Sequence, residues 1–268
     1  MTLHQVPVAN KDKVIIVGAG IGGLASSLRL SHLGYDVEVI ERANSAGGKL
    51  RTITGSTGEI DIGPTVLTLL PIFQKLFKSV GEDIFEHIDL VRQKIIARHW
   101  WPDGTSLDLY DDFETSRDAI MKFSGSGSAI EFEKYFHDTR DLFSCFDLPV
   151  MQNPRPSMLD MNRAVLSNPK ILSKLHPLRT LSSLLNYKFQ DKRLRQLFGR
   201  YATYVGGSPL ESPALLSLVW QAEAQGVWSI KGGMRKLARV IEQLAKARGA
   251  SFNYGTDIKE FNTKGDRV

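Results

Sequence analysis

A glycine-rich turn between an apolar strand and a helix constrains this sequence more than any other feature. Residues 14–17, Val-Ile-Ile-Val, are the β-branched run expected of a buried parallel strand, and residues 18–23, Gly-Ala-Gly-Ile-Gly-Gly, follow at once. Apolar residues then recur at helical spacing from Leu24 to Leu33, and Gly34 is placed to end the helix. Strand, glycine turn and helix in this order predict a dinucleotide-binding unit.

The glycines of this turn are expected to have separate tasks. Gly18 would permit the tight turn, Gly20 would let the backbone approach a pyrophosphate, and Gly23 would let the helix pack closely on the strand. The N-terminus of the helix would supply N–H groups and a partial positive charge for the phosphates. We therefore predict that this turn, with Ala19 and Gly22 in it, holds the pyrophosphate.

An acid follows the next predicted strand at the position where a ribose would lie. The strand covers residues 37–40 and ends in Glu41, eighteen residues beyond Gly23. A carboxylate there would accept hydrogen bonds from an adenosine ribose and would disfavour a 2′-phosphate. The alternative is a solvated carboxylate at the end of a strand. NADP is the less favoured ligand, although the neighbouring Arg42 keeps it open.

Two later segments favour FAD over NAD. Residues 46–51, Ala-Gly-Gly-Lys-Leu-Arg, place the backbone amides around Gly48 where they could reach a second phosphate and the ribityl chain, and Lys49 or Arg51 could offset the phosphate charge. Residues 61–65, Asp-Ile-Gly-Pro-Thr, follow. Each segment alone could be a plain surface turn or a turn that ends a strand. Their joint spacing after the first turn indicates a flavin.

Cysteine usage and hydropathy point to a folded protein of a reducing compartment. Cys145 is the single cysteine of the 268 residues, so we expect a buried structural thiol and neither a disulfide nor a zinc site. We predict no metal. The first residues hold no apolar segment of signal-peptide length, and the longest apolar stretch, residues 214–220, is too short to cross a bilayer. We expect neither secretion nor a transmembrane segment.

The net charge of +5 is concentrated in one region. Residues 163–200 hold nine lysines and arginines against one acid, Asp191, so this segment carries +8 and the rest of the chain −3. Residues 169–189 interleave these bases with leucines, which suits an anionic membrane surface. Two ordinary helices with their apolar sides in the core would give the same spacing. Nucleic acid ranks last, since no aromatic platform or known binding module is present.

Residues 66–227 are predicted to be a second domain inserted into the nucleotide fold. They begin with two strand-like runs, 94–101 and 105–110, around Pro102-Asp-Gly104, which is a hairpin signal. Trp100 and Trp101 are expected to pack at this hairpin. The chain then returns through residues 231–233 into an amphipathic helix that ends at Arg248-Gly249, and a strand follows near residues 250–254. The nucleotide domain is therefore expected to comprise residues 1–65 and 228–268.

The chain resembles a known family, the phytoene desaturase type of carotenoid desaturases and dehydrogenases. These proteins are flavoproteins of the amine-oxidase-like superfamily. The resemblance covers nearly the whole chain and is carried by four segments, VIIVGAGIGGLASSLRL (14–30), EIDIGPTVLTL (59–69), RYATYVGGSPLESPALLSLVWQ (200–221) and KGGMRKLARVIEQLAKARGASF (231–252). The glycine motif and the paired-glycine loop are common to the superfamily, whereas YVGGSP followed by SPALLSL is narrower. That block is most similar to bacterial hydroxyneurosporene or methoxyneurosporene dehydrogenases.

The resemblance implies an α/β fold, an FAD-binding Rossmann-like domain with an inserted α+β substrate domain. It implies further site residues beyond the first turn and Glu41: the segment from Gly63 through Pro64 to Thr65 would lie near the isoalloxazine, and the backbone at Ile258 near the adenine. Lys49 departs from the family, which usually has arginine at this position. Arginine could make a bidentate contact with a phosphate, whereas lysine offers only a point charge.

The resemblance also implies an activity and its partners. The reaction would remove two hydrogens from adjacent carbons of an acyclic carotenoid, with hydride transfer to the flavin. The hydrophobic substrate would place the protein in the cytoplasm, peripheral to the membrane. No catalytic base is assigned, and the electron acceptor, a quinone or oxygen, is left open. Family members are about twice as long, so the chain is interpreted as an N-terminal fragment whose last residues, from Gly265, begin a strand. The alternatives are an amine or porphyrinogen oxidase and an inactive membrane-binding remnant.

Overall fold

The computed structural model describes residues 13–56 and 58–262. Within these ranges the strands, in chain order, are β1 (Lys13–Val17), β2 (Asp36–Glu41), β3 (Thr52–Gly55), β4 (Gly58–Asp61), β5 (Leu90–Arg92), β6 (Ile95–Trp100), β7 (Ser106–Tyr110), β8 (Trp228–Ile230) and β9 (Ser251–Tyr254). The strand predicted from Gly265 lies outside the described residues.

The helices follow the same order. They are α1 (Ile21–His32), α2 (Leu70–Lys78), α3 (Ile84–His87), α4 (Phe113–Phe146), α5 (Met158–Ser167), α6 (Leu172–Leu175), α7 (Leu181–Lys188), α8 (Lys192–Gly199), α9 (Gln221–Ala224) and α10 (Arg235–Ala247), with short 3₁₀ segments at Pro169–Ile171, Arg200–Val205 and Ala214–Trp220. α4 is broken at Gly125, whose φ of 90° is not helical. In the part of the chain that the structure describes, no helix is both long and apolar enough to cross a membrane.

The chain divides into two units, and the first comprises residues 1–92 and 228–268. Its main sheet has the strand order β1-β2-β9, with both pairs parallel. Lys13 pairs with Asp36, and Glu38 pairs with Ser251, so the strand that returns late in the chain joins the edge of β2. The predicted strands around residues 14–17, 37–40 and 250–254 are all present. The prediction that the first of them is buried was wrong, because Ile15 and Val17 of β1 are 46% and 48% exposed at the edge of the sheet.

Two helices pack together beside this sheet because both carry apolar stripes. Leu24 and Leu28 of α1 and Leu237 and Ile241 of α10 are buried in the same cluster as Val39 of β2. The crossover through α1 joins two parallel strands, as a strand, helix, strand unit requires. The amphipathic helix predicted after residues 231–233 is therefore confirmed as α10.

Residues 66–92, which the sequence analysis assigned to the inserted domain, lie in the first unit instead. The reason is burial: Leu67, Leu70, Phe77 and Ile84 all belong to the hydrophobic core that holds α1 and α10. Leu67 also exchanges two backbone hydrogen bonds with Trp228, at 2.7 and 2.9 Å, and β5 pairs with β8. The second unit accordingly runs from residue 93 to residue 227.

The second unit has a hairpin and an aromatic core. β6 and β7 pair antiparallel, as predicted, from Trp100 opposite Ser106 to Ile95 opposite Tyr110. The core is built on rings: the Phe198 centroid lies 4.7 Å from that of Tyr135 and 5.2 Å from that of Phe189. Trp220 closes the cluster, with its indole N–H donating to the Thr139 hydroxyl at 2.8 Å.

Three local predictions in this unit have mixed outcomes. Trp101 is buried and its indole donates to Gln196 Oε1 at 3.0 Å, as expected of packing, but Trp100 is 70% exposed, so the prediction was wrong for it. Cys145 is only partly buried, and its Sγ lies 3.5 Å from the Ala164 carbonyl oxygen. Partial burial raises the pKa of this thiol.

The basic, leucine-rich segment divides into two parts. In α7, Leu181, Leu184 and Leu185 are buried, so this helix faces the core of its unit in the ordinary way. Before α7, Leu172 and Leu178 are exposed, and Leu178 is 99% exposed. The core-facing alternative therefore holds for α7, and the preceding stretch presents leucines outward.

Gly23 is the position at which the first unit should be most sensitive to an added methyl group. A Cβ on Gly23 would lie 1.9 Å from the Gly18 carbonyl oxygen, a backbone atom that no rotamer change can move. We expect Gly23→Ala to lower the free energy of unfolding by at least about 2 kcal/mol. Urea denaturation followed by circular dichroism measures this.

Gly22→Ala is the matched control for that variant. Gly22 is the preceding residue of the same helix, and a Cβ there meets no atom within 4 Å. Its unfolding free energy should stay within about 1 kcal/mol of that of the parent protein. Equal stability of the two variants would contradict the close packing of α1 on β1.

Candidate dinucleotide site

Three backbone segments meet at the carboxyl end of β1. They are the first glycine turn (18–23), the paired-glycine loop (46–49) and the segment from Asp61 to Thr65, all in the first unit. Gly47 N donates to the Ala19 carbonyl at 2.9 Å, and Gly20 and Gly47 form a parallel bridge. The structure thus brings together segments that lie up to 47 residues apart in the chain.

The first turn has the geometry that a pyrophosphate requires. Gly18 has a φ of 93°, which only glycine adopts without strain, and its N–H donates to the Ile40 carbonyl at 2.8 Å. Gly20 precedes α1 without any side-chain cap, and a Cβ on Gly20 would meet no atom within 4 Å. The uncapped N-terminus of a twelve-residue helix beside open space is a place where an anion can bind.

The paired-glycine loop lies directly against this turn. Gly48 has a φ of 60°, and a Cβ on it would lie 2.9 Å from the Gly20 Cα. Gly47 has a φ of 130°, and a Cβ there would lie 2.8 Å from the Leu50 carbonyl oxygen. Both glycines are therefore needed for the loop to approach the first turn, which a plain surface turn would not demand.

The third segment is held against the second. A Cβ on Gly63 would lie 2.0 Å from the Lys49 carbonyl oxygen, and Ile62 N donates to the Arg51 carbonyl at 2.9 Å. Pro64 and Thr65 follow as exposed residues without regular structure. The Gly-Pro-Thr segment thus lies beside the paired-glycine loop.

Glu41 binds the protein backbone in this structure. Its Oε2 accepts from Ala19 N at 2.6 Å and its Oε1 from Ala43 N at 2.8 Å, and the residue is 9% exposed. The solvated-carboxylate alternative is therefore wrong for this residue. Each carboxylate oxygen has a further lone pair, so these two bonds are compatible with a ribose hydroxyl as an additional donor.

The remaining predicted residues are spread around this site. Arg42 and Lys49 are exposed, Gly22 lies in the first turn of α1, and Ile258 is half-buried in the irregular segment after β9. Lys49 is the last residue of the paired-glycine loop, and Arg42 follows directly on β2. No contact of Ile258 with the glycine turn is described, so its place near an adenine stays a prediction.

Sequence reasoning missed Asp61 as a link in this site. Its Oδ2 accepts from Met234 N at 2.9 Å, at the start of α10, and its Oδ1 is buried without a hydrogen-bond partner. A Cβ on Gly233 would lie 3.1 Å from the same carboxylate. Two features of the sequence could have indicated this contact: an aspartate lies two residues before Gly63, and a Gly-Gly pair precedes an amphipathic helix. A carboxylate is favoured at the N-terminus of a helix.

A second polar cluster, in the second unit, had no signal in the sequence, unlike Asp61. Glu223 is buried and accepts from Arg200 Nη2 at 2.5 Å, from the Tyr201 hydroxyl at 2.8 Å and from the Tyr204 hydroxyl. Burial together with Glu223 raises the pKa of both tyrosines. Burial, with Arg200 adding to it, lowers the pKa of His99, whose Nδ1 is buried without a partner. Glu223 lies 19 to 23 residues beyond Arg200 and the two tyrosines, so only folding reveals their contact.

Comparison with known families matches the region that forms the candidate site. A family model described as an NAD(P)-binding Rossmann-like domain matches residues 16–82. This range contains the first turn, the paired-glycine loop and the Gly-Pro-Thr segment. The protein thus has a dinucleotide-binding Rossmann-like domain.

Curated relatives match almost the whole chain. A hydroxyneurosporene desaturase of Cereibacter sphaeroides is 42% identical over 96% of this chain and 52% of its own length. One of Rhodobacter capsulatus is 42% identical over 97% of this chain, and a 4,4′-diapolycopene oxygenase of Methylomonas is 27% identical over 97%. The resemblance to the carotenoid desaturases is confirmed, and the chain spans about half the length of the curated relatives it matches.

Solved structures share the fold at low identity. An oxidoreductase from Methanosarcina mazei has a TM-score of 0.60 at 18% identity over 91% of this chain and 51% of its own. Putrescine oxidase bound to putrescine has a TM-score of 0.58 at 18% identity, again over 91% and 51%. The predicted fold class, an α/β chain with a Rossmann-like domain, is confirmed.

Replacing Glu41 tests whether its carboxylate holds the site together. Glu41→Gln turns one acceptor oxygen into a donor amide, so either the buried Ala19 N or the part-buried Ala43 N loses its partner. We expect the free energy of unfolding to fall by about 1–3 kcal/mol. Urea unfolding of the purified chain measures it.

Glu38→Gln is the control on the same strand. Glu38 pairs with Lys13 at 2.7 Å on the surface, where ion pairs contribute little. Its removal should change stability less than the Glu41 substitution does. If both variants were equally stable, the carboxylate of Glu41 would have no structural role.

Proposed function

We propose that this chain, a relative of the carotenoid desaturases, binds FAD and takes part in the desaturation of an acyclic carotenoid of the neurosporene type. The observation that carries the proposal is its 42% identity with hydroxyneurosporene desaturases over 96% of its length. The site geometry supports the cofactor part independently, and the two parts can be tested separately.

FAD fits the residues better than NAD because a second glycine loop lies against the first. Gly20 leaves open space at the uncapped N-terminus of α1, where the pyrophosphate would lie. The backbone of Gly48 approaches Gly20 so closely that it could contact the same phosphates. Glu41 would receive the adenosine ribose, Lys49 would offset phosphate charge, and Gly63 to Thr65 would lie towards the ring system.

The chemistry requires little from the protein beyond binding and exclusion of water. FAD, when bound, supplies the hydride acceptor for an oxidation of adjacent carbons. The residues of this chain would hold the dinucleotide through backbone N–H groups at α1 and through the Glu41 carboxylate. No residue is assigned as the base, and none of the described histidines lies among the three site segments.

Gly20→Val separates cofactor binding from folding. Gly20 has φ −71° and ψ 177°, which valine adopts readily, and its Cβ position is open, so the fold should persist. The side chain would occupy the place of the pyrophosphate. We expect FAD affinity to fall by at least about a hundredfold, which corresponds to about 2.7 kcal/mol. Titration of the purified chain with FAD, followed by flavin fluorescence, measures it.

Gly127→Val is the matched control for this experiment. Gly127 lies in α4 of the second unit, and a Cβ there also meets no atom within 4 Å. This variant should bind FAD as the parent chain does. Unchanged FAD binding by Gly20→Val would remove the first turn from the cofactor site.

The same proteins test the reaction. We expect the parent chain loaded with FAD, in liposomes containing hydroxyneurosporene, to shift the carotenoid absorption to longer wavelength as conjugation extends, and Gly20→Val to produce no shift. Product formation by Gly20→Val at the parent rate would contradict a flavin reaction. FAD binding without any product would retain the cofactor assignment and reject the reaction for this chain.

We further propose that the protein is cytoplasmic and binds the membrane surface through the stretch before α7. Large apolar side chains are exposed there, namely Met158, Leu159, Leu166, Leu172 and Leu178. Arg163, Lys170 and Arg179 lie among them in the chain. Exposed leucines beside basic residues favour insertion into the headgroup region of an anionic bilayer, where a carotenoid is also found.

A triple substitution tests this surface. The variant replaces Leu166, Leu172 and Leu178 together with Ser. We expect its sedimentation with phosphatidylglycerol vesicles to fall at least about tenfold, because each replaced leucine removes an apolar contact with lipid. The control changes Ile53, Ile60 and Phe85, also exposed but in the first unit, to Ser. An equal loss in both would indicate nonspecific apolar binding, and no loss in the first would reject this surface.

A further inference from the structure

A cavity in the second unit lies between α7, α8 and the 3₁₀ segment Arg200–Val205. Its volume is about 410 Å³. The polar lining consists of Ser182, Arg195, Gln196, Arg200 and Thr203. Leu185, Gly199 and Pro209 form an apolar wall on the same cavity. Two arginines are among the lining residues, and no aspartate or glutamate is.

The two arginines differ in how the protein balances their charge. Arg200 is paired with the buried Glu223 at 2.5 Å. Arg195 donates to Asn186 Oδ1 at 2.9 Å and to the Gln190 carbonyl at 2.8 Å, both of them neutral acceptors. Among the residues that the structure describes, no acid pairs with Arg195. The cavity therefore carries about one uncompensated positive charge.

Both guanidinium groups also have incomplete hydrogen bonding. The Nε atoms of Arg195 and Arg200 are buried and have no hydrogen-bond partner. A buried donor without a partner costs free energy, and an anion beside a guanidinium offsets that cost through its charge. The residues 13–56 and 58–262 supply no such anion for Arg195.

The neutral polar groups around the cavity are suited to the same kind of ligand. Gln196 Oε1 already accepts from the Trp101 indole at 3.0 Å, so the group that Gln196 has left is its amide donor. Ser182 adds a hydroxyl from α7. Donors on one side and an apolar wall on the other suit a phosphate group that bears an organic part.

We propose that this cavity binds a phosphate ester, with Arg195 as the residue that recognises its charge. The arginine fork matches phosphate oxygens in geometry and in charge, and the volume admits the phosphate together with a glycerol-sized substituent. This site lies in the second unit, apart from the candidate dinucleotide site, and does not depend on the proposed function. The phosphate can belong to a free ester or to a lipid headgroup.

Calorimetric titration of the full chain with glycerol phosphate tests the site, and phosphatidylglycerol vesicles form the second arm. We expect saturable binding that Arg195→Gln weakens at least about tenfold, because it removes the one unbalanced charge. Lys192→Gln, which removes the same charge from the same helix outside the cavity, should bind within about twofold of the parent chain. Circular dichroism verifies that each variant is folded.

A second variant keeps the charge and fills the space. Ser182→Leu places a larger apolar side chain in the cavity and should also weaken binding, which keeps the test informative if Arg195→Gln does not fold. If binding of glycerol phosphate depends on Arg195, a free phosphate ester is a sufficient ligand. If only binding of the vesicles depends on Arg195, the ligand is the lipid headgroup. Three outcomes would overturn the proposal. They are no saturable binding in either arm, an equal loss of affinity in Arg195→Gln and Lys192→Gln, and unchanged affinity in the folded cavity variants.

Discussion

The close approach of Gly23 to the Gly18 carbonyl is the contact on which the first unit depends. It places the start of α1 against the end of β1, with too little space for any side chain between them. Once α1 is seated, Ala19 presents its carbonyl to Gly47 and its N–H to Glu41. The paired-glycine loop and the carboxylate are thus both attached to the same turn, and the site forms from main-chain groups held in fixed positions.

Glu41 has a structural role in addition to the ribose-binding role that we propose for it. Its spacing after the glycine turn predicts a ribose ligand, and the structure gives its carboxylate two backbone donors. These bonds hold the carboxylate in place, which would lower the free-energy cost of binding a ribose there. Asp61 acts in a similar way at the other edge of the site, since it ties the segment before Gly63 to the N-terminus of α10.

The second unit distributes its positive charge over two surfaces of different character. Before α7 the leucines point outward beside basic residues, which is why we propose a membrane surface there. In α7 the leucines are buried, and beyond this helix Arg195 and Arg200 are among the residues that line a cavity. The buried Glu223 neutralises Arg200 and accepts from two tyrosines, so the unit retains one charge in the cavity that the protein does not balance.

The sequence by itself determined the nucleotide fold, because strand, turn and helix signals are local. Residues 14–17, the turn at 18–23 and the helix up to Gly34 could be read without tertiary information, and so could the hairpin around residues 102–104. Only the tertiary structure decided which unit residues 66–92 join, since that depends on Leu67 and Phe77 entering one core rather than another. It also decided that Glu41 binds Ala19, that Asp61 meets Met234, and that Arg200 meets Glu223. Contacts between residues far apart in the chain follow from packing, and spacing within one segment carries no information about them.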